Sequence, residues 1–527
     1  MADATAPRED AAASHLSALI LAAAIVGFGF LGSRLLGILR TVAIADSFGS
    51  GPDADAYFVA FKIPDLIFQV LAGATMGSAF IPVFARVYRR DGTDAAWRLA
   101  SIMLTIVTAA TAVLCAIALI AAPLLVPLTA PGFEGERLDT AITLTRIMLI
   151  SPLLFAVSGM ITGILNARQQ FLLPALAPML YNLAIIFGAV VLARPFGIEG
   201  LAIGVVAGSA LHLAVQVPGL VKEGMKFRAS LNWRAPEVTE IAKLMGPRVI
   251  GLGATQLNFV ITTFFATKVG GSAVSDLTYA WLLAGLPVAL FGMAFSTAVF
   301  PQLADRAAEG EHEALYATVS RVLRVILFLT IPAALGLAFL REPVTAFLLQ
   351  HGEFGPEATA GTSAALAFYC IGLIPQAGIE IHSRGFYALG DTRTPVIFAV
   401  VAVVLNLVIS AAVYRVLETE GLAFAVSAAA WLEWGLLYTM FVLRTGTRPE
   451  ADLAAAAKYL WCGAFMVLAM AVCFLTFESD SRVDDAAQAL LGGIAGICFY
   501  GGMARWMRLP ELESALGRVR TVLGIGG

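Results

Sequence analysis

Apolar runs recur along the whole chain, at roughly 16–39, 54–80, 97–125, 140–165, 172–193, 198–221, 237–267, 276–300, 315–340, 358–389, 394–414, 420–443, 452–477 and 485–507. Each is long enough to cross a bilayer as a helix. The polar stretches between them are short, and the longest, 222–236, is too small to fold as a domain. Backbone in hydrocarbon must satisfy its own hydrogen bonds, so the pattern predicts an all-α polytopic membrane protein of about fourteen transmembrane helices. The polar tail 1–15 holds Arg8, Glu9 and Asp10 and lacks the basic opening of a signal peptide, so the first run is kept as a membrane helix.

A second regularity lies over the first. LNARQQFLLP ends at Pro174 and FYALGDTRTP at Pro395, an offset of 221; GIEGLA ending at Ala202 meets ETEGLA ending at Ala423 at the same offset. FIPVFARVYRRDG follows the second run from Phe80, and VFPQLADRAAEG follows the eighth from Val299. Six helices are thus followed by six similar ones. The expected organisation is an N-lobe at 16–221, a cytoplasmic linker at 222–236, a C-lobe at 237–444, helices 13 and 14 at 445–508 and a cytoplasmic tail at 509–527. Because six is even, the lobes keep one orientation and should be related by a pseudo-two-fold axis along the membrane normal, with the substrate between them.

Composition narrows the function. With 59% hydrophobic and 13% charged residues and a mean hydropathy of +0.84, this is not a soluble enzyme. A net charge of -3 gives no reason to expect nucleic acid as a partner. The loops assigned to the cytoplasm hold sixteen Lys and Arg against seven on the other side, which places both termini inside. Cys115, Cys370, Cys462, Cys473 and Cys498 lie in apolar runs without metal-ligand or disulfide spacing and read as small buried hydrophobes. No HExxH, GxSxG, P-loop or DxD-like pattern occurs, so neither an enzyme of lipid-linked sugars nor a cofactor or metal site is expected.

What remains is charge at membrane depth, which faces a hydrated path, a polar ligand or a partner side chain. The first two helices are richest in it. Arg34 lies inside the first run and Arg40 closes it, while Asp55, Lys62 and Asp65 ride on the second. Asp55 and Lys62 are seven apart and share a helix face; Lys62 and Asp65 are three apart and can pair. Pro64 invites a kink beside them. Arg248 follows Pro247 at the entry of the seventh run, and Glu380 and Arg384, four apart in the tenth, read as a structural ion pair. The offset of 221 maps His212 onto Glu433, two titratable groups in apolar surroundings. They read either as a proton-coupling pair or as hydrogen-bonded contacts between helices.

SRLLGILR, DAYFVAFKIPDL, SAFIPVF, ARQQFLLPALAPMLYN, QHGEF and GFYALGDTRTPV occur in this order, and together they resemble the MurJ (MviN) family of lipid II flippases within the multidrug/oligosaccharidyl-lipid/polysaccharide exporter superfamily. The resemblance runs from the first helix through the twelfth. It implies a monomeric inner-membrane carrier that moves undecaprenyl-diphosphate-linked peptidoglycan precursor outward by alternating access, with a lipid-tail groove at the terminal helix pair and cell-wall synthesis proteins as candidate partners. A diphosphate calls for cations, and arginine grips phosphate in two-point fashion. Arg34 and Arg40 align with the family's first-helix arginines and are the leading substrate ligands, with Lys62, Asp55, Asp65 and Arg248 beside them. The chain departs from the pattern where many members carry further cavity cations: Phe68, Gln69 and Gly73 stand after the second-helix proline, and Trp281 and Leu282 after Tyr279 and Ala280. Thr41 stands where an Asp is common, and Thr262, Asn406 and Ser410 replace the acids of sodium-binding members. Loss of two cations keeps a drug, small-solute or other lipid-linked oligosaccharide exporter on the same two-lobe plan as the alternative.

Overall fold

A computed structural model of the chain describes residues 27–29, 31–73, 79–445, 450–475 and 482–514, and every regular element among them is helical. Twelve helices among the described residues are long and apolar enough to cross a membrane. They are α1 (Gly27–Phe48), α3 (Thr93–Thr129), α4 (Gly135–Ala167), α5 (Leu172–Phe196), α6 (Ile198–Lys222), α8 (Ala273–Ala308), α9 (His312–Phe339), α10 (Pro356–Ala388), α11 (Arg393–Val413), α12 (Glu418–Arg444), α13 (Asp452–Phe474) and α14 (Ala487–Trp506). Two further helices, α2 (Pro52–Phe68) and α7 (Pro236–Val269), fill the remaining places in the order. α2 is short, at 17 residues, and carries Asp53, Asp55, Lys62 and Asp65, while α7 carries Glu237, Glu240, Lys243 and Arg248 in its first half and Lys268 at its end. The tail 1–15, the C-terminal residues 515–527 and the 446–449 connection lie outside the described residues.

The chain forms two compact units, Met1–Gln256 and Leu257–Gly527. The boundary falls inside α7, because the first turns of that helix bury Val238 and Ile241 in the core of the first unit with Phe84, Trp97 and Met160. In the second unit α13 and α14 add Tyr459, Met466, Met470 and Tyr500 to a core built on α9 and α10.

Backbone geometry repeats at the offset read from the sequence. Gly49 and Gly270, Gln169 and Gly390, and Gly197 and Glu418 all have positive φ, and each pair is 221 apart. A left-handed residue ends a helix and turns the chain at low strain only when it is glycine, so one copy uses Gly where the other holds Gln169 or Glu418 under strain. Both α2 and α8 pass into π-helical winding at matching depth, at Gln69–Gly73 and Val288–Met293. Arg168 Nε donates to Glu223 Oε2 at 2.7 Å, and Arg444 Nη1 donates to Asp391 Oδ2 at 2.6 Å. Glu223 and Arg444 are again 221 apart, while their partners Arg168 and Asp391 are 223 apart, so the two copies place ion pairs of exchanged sign at neighbouring positions.

Proline inside a helix leaves the carbonyl four residues earlier without its N–H, which hydrocarbon cannot satisfy. Two neighbours supply the missing donor. Tyr500 Oη donates to Phe328 O at 2.8 Å, opposite Pro332 in α9, and Trp431 Nε1 donates to Ile371 O at 3.0 Å, opposite Pro375 in α10. Glycine makes room for a large neighbour: a Cβ at Gly378 of α10 would lie 2.3 Å from the indole of Trp434 on α12.

Cysteine placement corrects one expectation. Cys115, Cys370 and Cys462 are buried, but Cys473 is half-buried and Cys498 is exposed on α14. An outer surface that meets lipid is as apolar as the core, so a cysteine there has no need of burial.

Candidate functional site

The polar groups of the first unit gather where α1, α2, α5 and the middle of α7 meet. Arg40, at the end of the apolar part of α1, donates from Nη1 to Asn182 Oδ1 at 3.0 Å. Asn182 is buried on α5 and donates from Nδ2 to Ser33 O at 3.2 Å, so one amide fixes both the guanidinium and the backbone beside Arg34. Arg34 itself is exposed on α1. Arg40 and Asp65 are electrostatic neighbours of Tyr181, as is Tyr57, the buried phenol on α2. Lys62 is half-buried on α2 and lies in the field of Asp65, whose Oδ2 accepts from Gln256 Nε2 of α7 at 2.8 Å. The result is a guanidinium, an ammonium and one carboxylate framed by two phenols and two amides. Such a set can take an anion and donate several hydrogen bonds to it.

Asp55 is placed apart from that group. Its carboxylate is 1% exposed and bridges to Arg137 at the start of α4, whose guanidinium also lies 4.2 Å from the Phe133 ring centroid. The second unit holds the equivalent acid, Asp276, and satisfies it with hydroxyls: Ser272 Oγ donates at 2.8 Å and Thr362 Oγ1 at 3.2 Å. The backbone of Arg248 lies in α7, and its side chain falls outside the described residues.

His212 on α6 sits in a hydrogen-bonded network with α4. Ser158 Oγ lies 2.6 Å from His212 Nδ1, Gln216 Nε2 donates to Ser158 Oγ at 2.8 Å, and Thr162 Oγ1 donates to Gln216 Oε1 at 2.8 Å. At the matching level of the second unit, Glu433 on α12 has Glu380 on α10 as its electrostatic neighbour. Glu380 pairs with Arg384, which also donates from Nη2 to Thr297 Oγ1 at 3.0 Å.

Aromatics stand at the places where the sequence resemblance raised an expectation of cations. Phe68 meets Phe155 at 5.2 Å between centroids, and Phe155 meets Tyr181 at 5.0 Å. Trp281 packs edge-on against Phe259 at 5.6 Å and Tyr369 at 5.3 Å. The neutral residues Thr262, Asn406 and Ser410 of the second unit bond to one another and to Asn258: Asn406 Nδ2 donates to Asn258 Oδ1 at 2.7 Å, Ser410 Oγ donates to Asn406 Oδ1 at 3.1 Å, and Thr262 Oγ1 donates to Asn258 O at 3.1 Å. No group of three or more His, Cys, Asp or Glu side chains with metal-ligand geometry occurs among the described residues.

Sequence reasoning passed over Asn182, Tyr57, Tyr181, Gln256 and Arg137. Asn182 and Tyr181 close the ARQQFLLPALAPMLYN segment, so the motif held a signal; Gln256 and Arg137 lie 191 and 82 residues from their partners and carried none.

Residues 44–481 match the family model described as "Lipid II flippase MurJ". The chain is 33% identical over 422 residues to the protein described as lipid II flippase MurJ from Burkholderia cenocepacia, covering 79% of this chain and 82% of that one. It is 31% identical over 479 residues to the probable lipid II flippase MurJ from Rhizobium meliloti, covering 89% of each. Among solved structures it superimposes on "Lipid II flippase MurJ, inward closed conformation" with a TM-score of 0.78 at 25% identity, over 92% of this chain and 99% of that one. A multidrug resistance MATE family transporter of the MOP superfamily shares the fold, with a TM-score of 0.66 at 17% identity over 79% of this chain and 94% of its own. The matches run through nearly all the helices described above, and this multi-pass membrane protein belongs to the lipid II flippase MurJ family.

Proposed function

We propose that this chain carries lipid II, the undecaprenyl-diphosphate-linked disaccharide peptide, from the cytoplasmic to the periplasmic leaflet of a bacterial inner membrane. The observation that carries the reading is kinship over most of the chain with proteins described as lipid II flippases. The carrier is a transporter and makes or breaks no covalent bond. All fourteen helices span, including the charged α2 and α7, and both termini are cytoplasmic. The two six-helix lobes open alternately to either side, the outward face of α13 and α14 holds the lipid tail, and one chain suffices.

In this reading Arg40 and Lys62 meet the diphosphate, with Arg34 at the entrance to it. Asn182 sets the rotamer of Arg40, and the phenols of Tyr57 and Tyr181 donate to phosphate oxygens that the absent cations would otherwise hold. Asp65 and Gln256 orient Lys62, and Asp55 acts through Arg137 as a brace. His212 and Glu433 are the groups through which a proton would couple to the cycle. The test is rescue of a flippase-depleted cell. Wild type restores growth, and the Arg34→Ala/Arg40→Ala protein, present in the membrane at equal level, does not. Equal rescue by both overturns the role given to the arginines. A drug or small-solute exporter is the second reading, favoured by the aromatic Phe68 and Trp281 in cation places and by the shared MATE fold. Resistance to cationic dyes without rescue would select it.

A further inference from the structure

The connection between α6 and α7 binds the membrane as well as joining two helices. We propose that residues 222–235 form a strap on the first unit that seats its apolar side chains in the cytoplasmic leaflet and gathers anionic phospholipid headgroups. Four observations carry this. First, residues 225–232 run without regular structure and are pinned to α3, with the N–H of Arg228 donating to Ser101 Oγ at 3.2 Å and that of Ser230 to Thr105 Oγ1 at 3.3 Å. Second, those anchors fix the depth. α3 has 37 residues, about 56 Å of rise, against a hydrocarbon layer of about 30 Å, so a centred helix leaves about 13 Å at each end. Ser101 lies about 12 Å from the start of α3, at the hydrocarbon edge, and Arg98 is the last charge before the apolar run.

Third, the strap turns large apolar groups outward at that depth: Phe227 is 54% exposed, Leu231 62% and Trp233 65%. Met225 and the small Ala235 pack inward, against the core of the first unit. Fourth, basic residues interleave with them. Lys222, Lys226, Arg228 and Arg234 are exposed, and Arg234 stacks 4.9 Å from the Trp233 ring centroid. The acids close by are largely committed, Glu223 to Arg168 and Glu240 to Arg86, which leaves Asp94 and Glu237 against the basic set with Arg98. Aromatic and basic side chains at one depth are the composition of a segment lying in the headgroup layer, and its charge complements an anionic one.

The test uses the full-length protein in vesicles of phosphatidylcholine mixed with phosphatidylglycerol, with bromine on the upper acyl chain of one lipid at a time. The chain has seven tryptophans, so the emission of wild type minus that of Trp233→Phe isolates Trp233. Brominated lipid should quench this difference signal, and brominated phosphatidylglycerol should quench several-fold more than brominated phosphatidylcholine at equal fraction. One basic residue near an anionic surface supplies roughly a five-fold enrichment, so Lys226→Gln/Arg228→Gln/Arg234→Gln should erase the preference while leaving the quenching by lipid. Equal quenching by the two lipids in wild type overturns the headgroup recognition. Quenching of Trp233 by aqueous iodide but not by brominated lipid overturns the strap altogether, as expected of a segment that docks a soluble protein. No lipid II enters the measurement, so its outcome is separate from that of the transport reading.

Discussion

Replacing Arg137 with Met separates a buried charge from its partner and tests how the first unit holds α2 against α4. The Asp55 side chain is 1% exposed and that of Arg137 20%. Removing one member of a buried ion pair costs about 3–5 kcal/mol, because the remaining charge stays desolvated. Asp55 sits in the first turn of α2, where the helix dipole favours an anion by up to about 1–2 kcal/mol, so the expected loss lies near 3 kcal/mol. For a compact unit of this size that is about 6–12 °C in apparent melting temperature, compared at one scan rate because membrane proteins unfold irreversibly. A thiol-reactive fluorogenic dye reports it directly, since Cys115 of the same unit is buried until unfolding. Asp55→Asn/Arg137→Met should recover half or more of the loss, because the amide keeps an acceptor for first-turn N–H groups without the charge. An Arg137→Met protein that melts within about 1 °C of wild type would refute the assignment of this pair as a brace.

Three further outcomes follow from the geometry. Tyr500→Phe removes the donor to the carbonyl that Pro332 leaves open and should destabilise by about 1–2 kcal/mol; in a Pro332→Ala background, where the helix supplies its own N–H, thermal unfolding should show most of that effect gone. Glu418→Gly relieves a left-handed residue that the other copy makes with Gly197, so melting should rise by the equivalent of about 1 kcal/mol, while Glu418→Ala should not raise it. In the turn between α10 and α11 burial opposes ionisation of Asp391, but hydrogen bonds from Thr394 and Arg444 outweigh it and hold the carboxyl at about 2. A depressed carboxyl contributes stability that is complete above its ordinary range near 3.8 and is lost as pH falls toward 2, here about 1 kcal/mol once solvent screening is allowed for. Asp391→Asn should therefore flatten the acid limb of a melting-versus-pH curve and leave the neutral region lower by that amount.

Much of the architecture was legible because bilayer thickness imposes it on length and apolarity, one run at a time. The duplication was legible because turns are local, and the pairs Gly49/Gly270 and Gly197/Glu418 bear it out in backbone angles. The apolarity rule weakens at α2, where four charged residues fall within 17 positions. At the candidate site, Arg40, Lys62 and Asp65 stood out as ionisable groups in apolar runs, whereas the neutral groups that frame them did not, since Asn182 or Gln256 in an apolar run differs little from any residue that bonds helix to helix. The partner of Asp55 was hidden for another reason. Helix spacing reveals pairs three or four apart, and Arg137 lies 82 residues away. The close approach of Gly378 to Trp434 is likewise a tertiary fact that no local pattern encodes.

In the proposed function the first-helix arginines of this chain hold a diphosphate-linked lipid. Native mass spectrometry of the purified protein with lipid II, undecaprenyl phosphate and a neutral lipid, comparing wild type with Arg34→Ala/Arg40→Ala, tests it most directly. Selective retention of lipid II by the wild type and a loss of at least ten-fold in the double variant are expected. Equal retention of all three lipids, unchanged by the substitutions, would contradict it and leave a flippase fold whose arginines serve some other cargo.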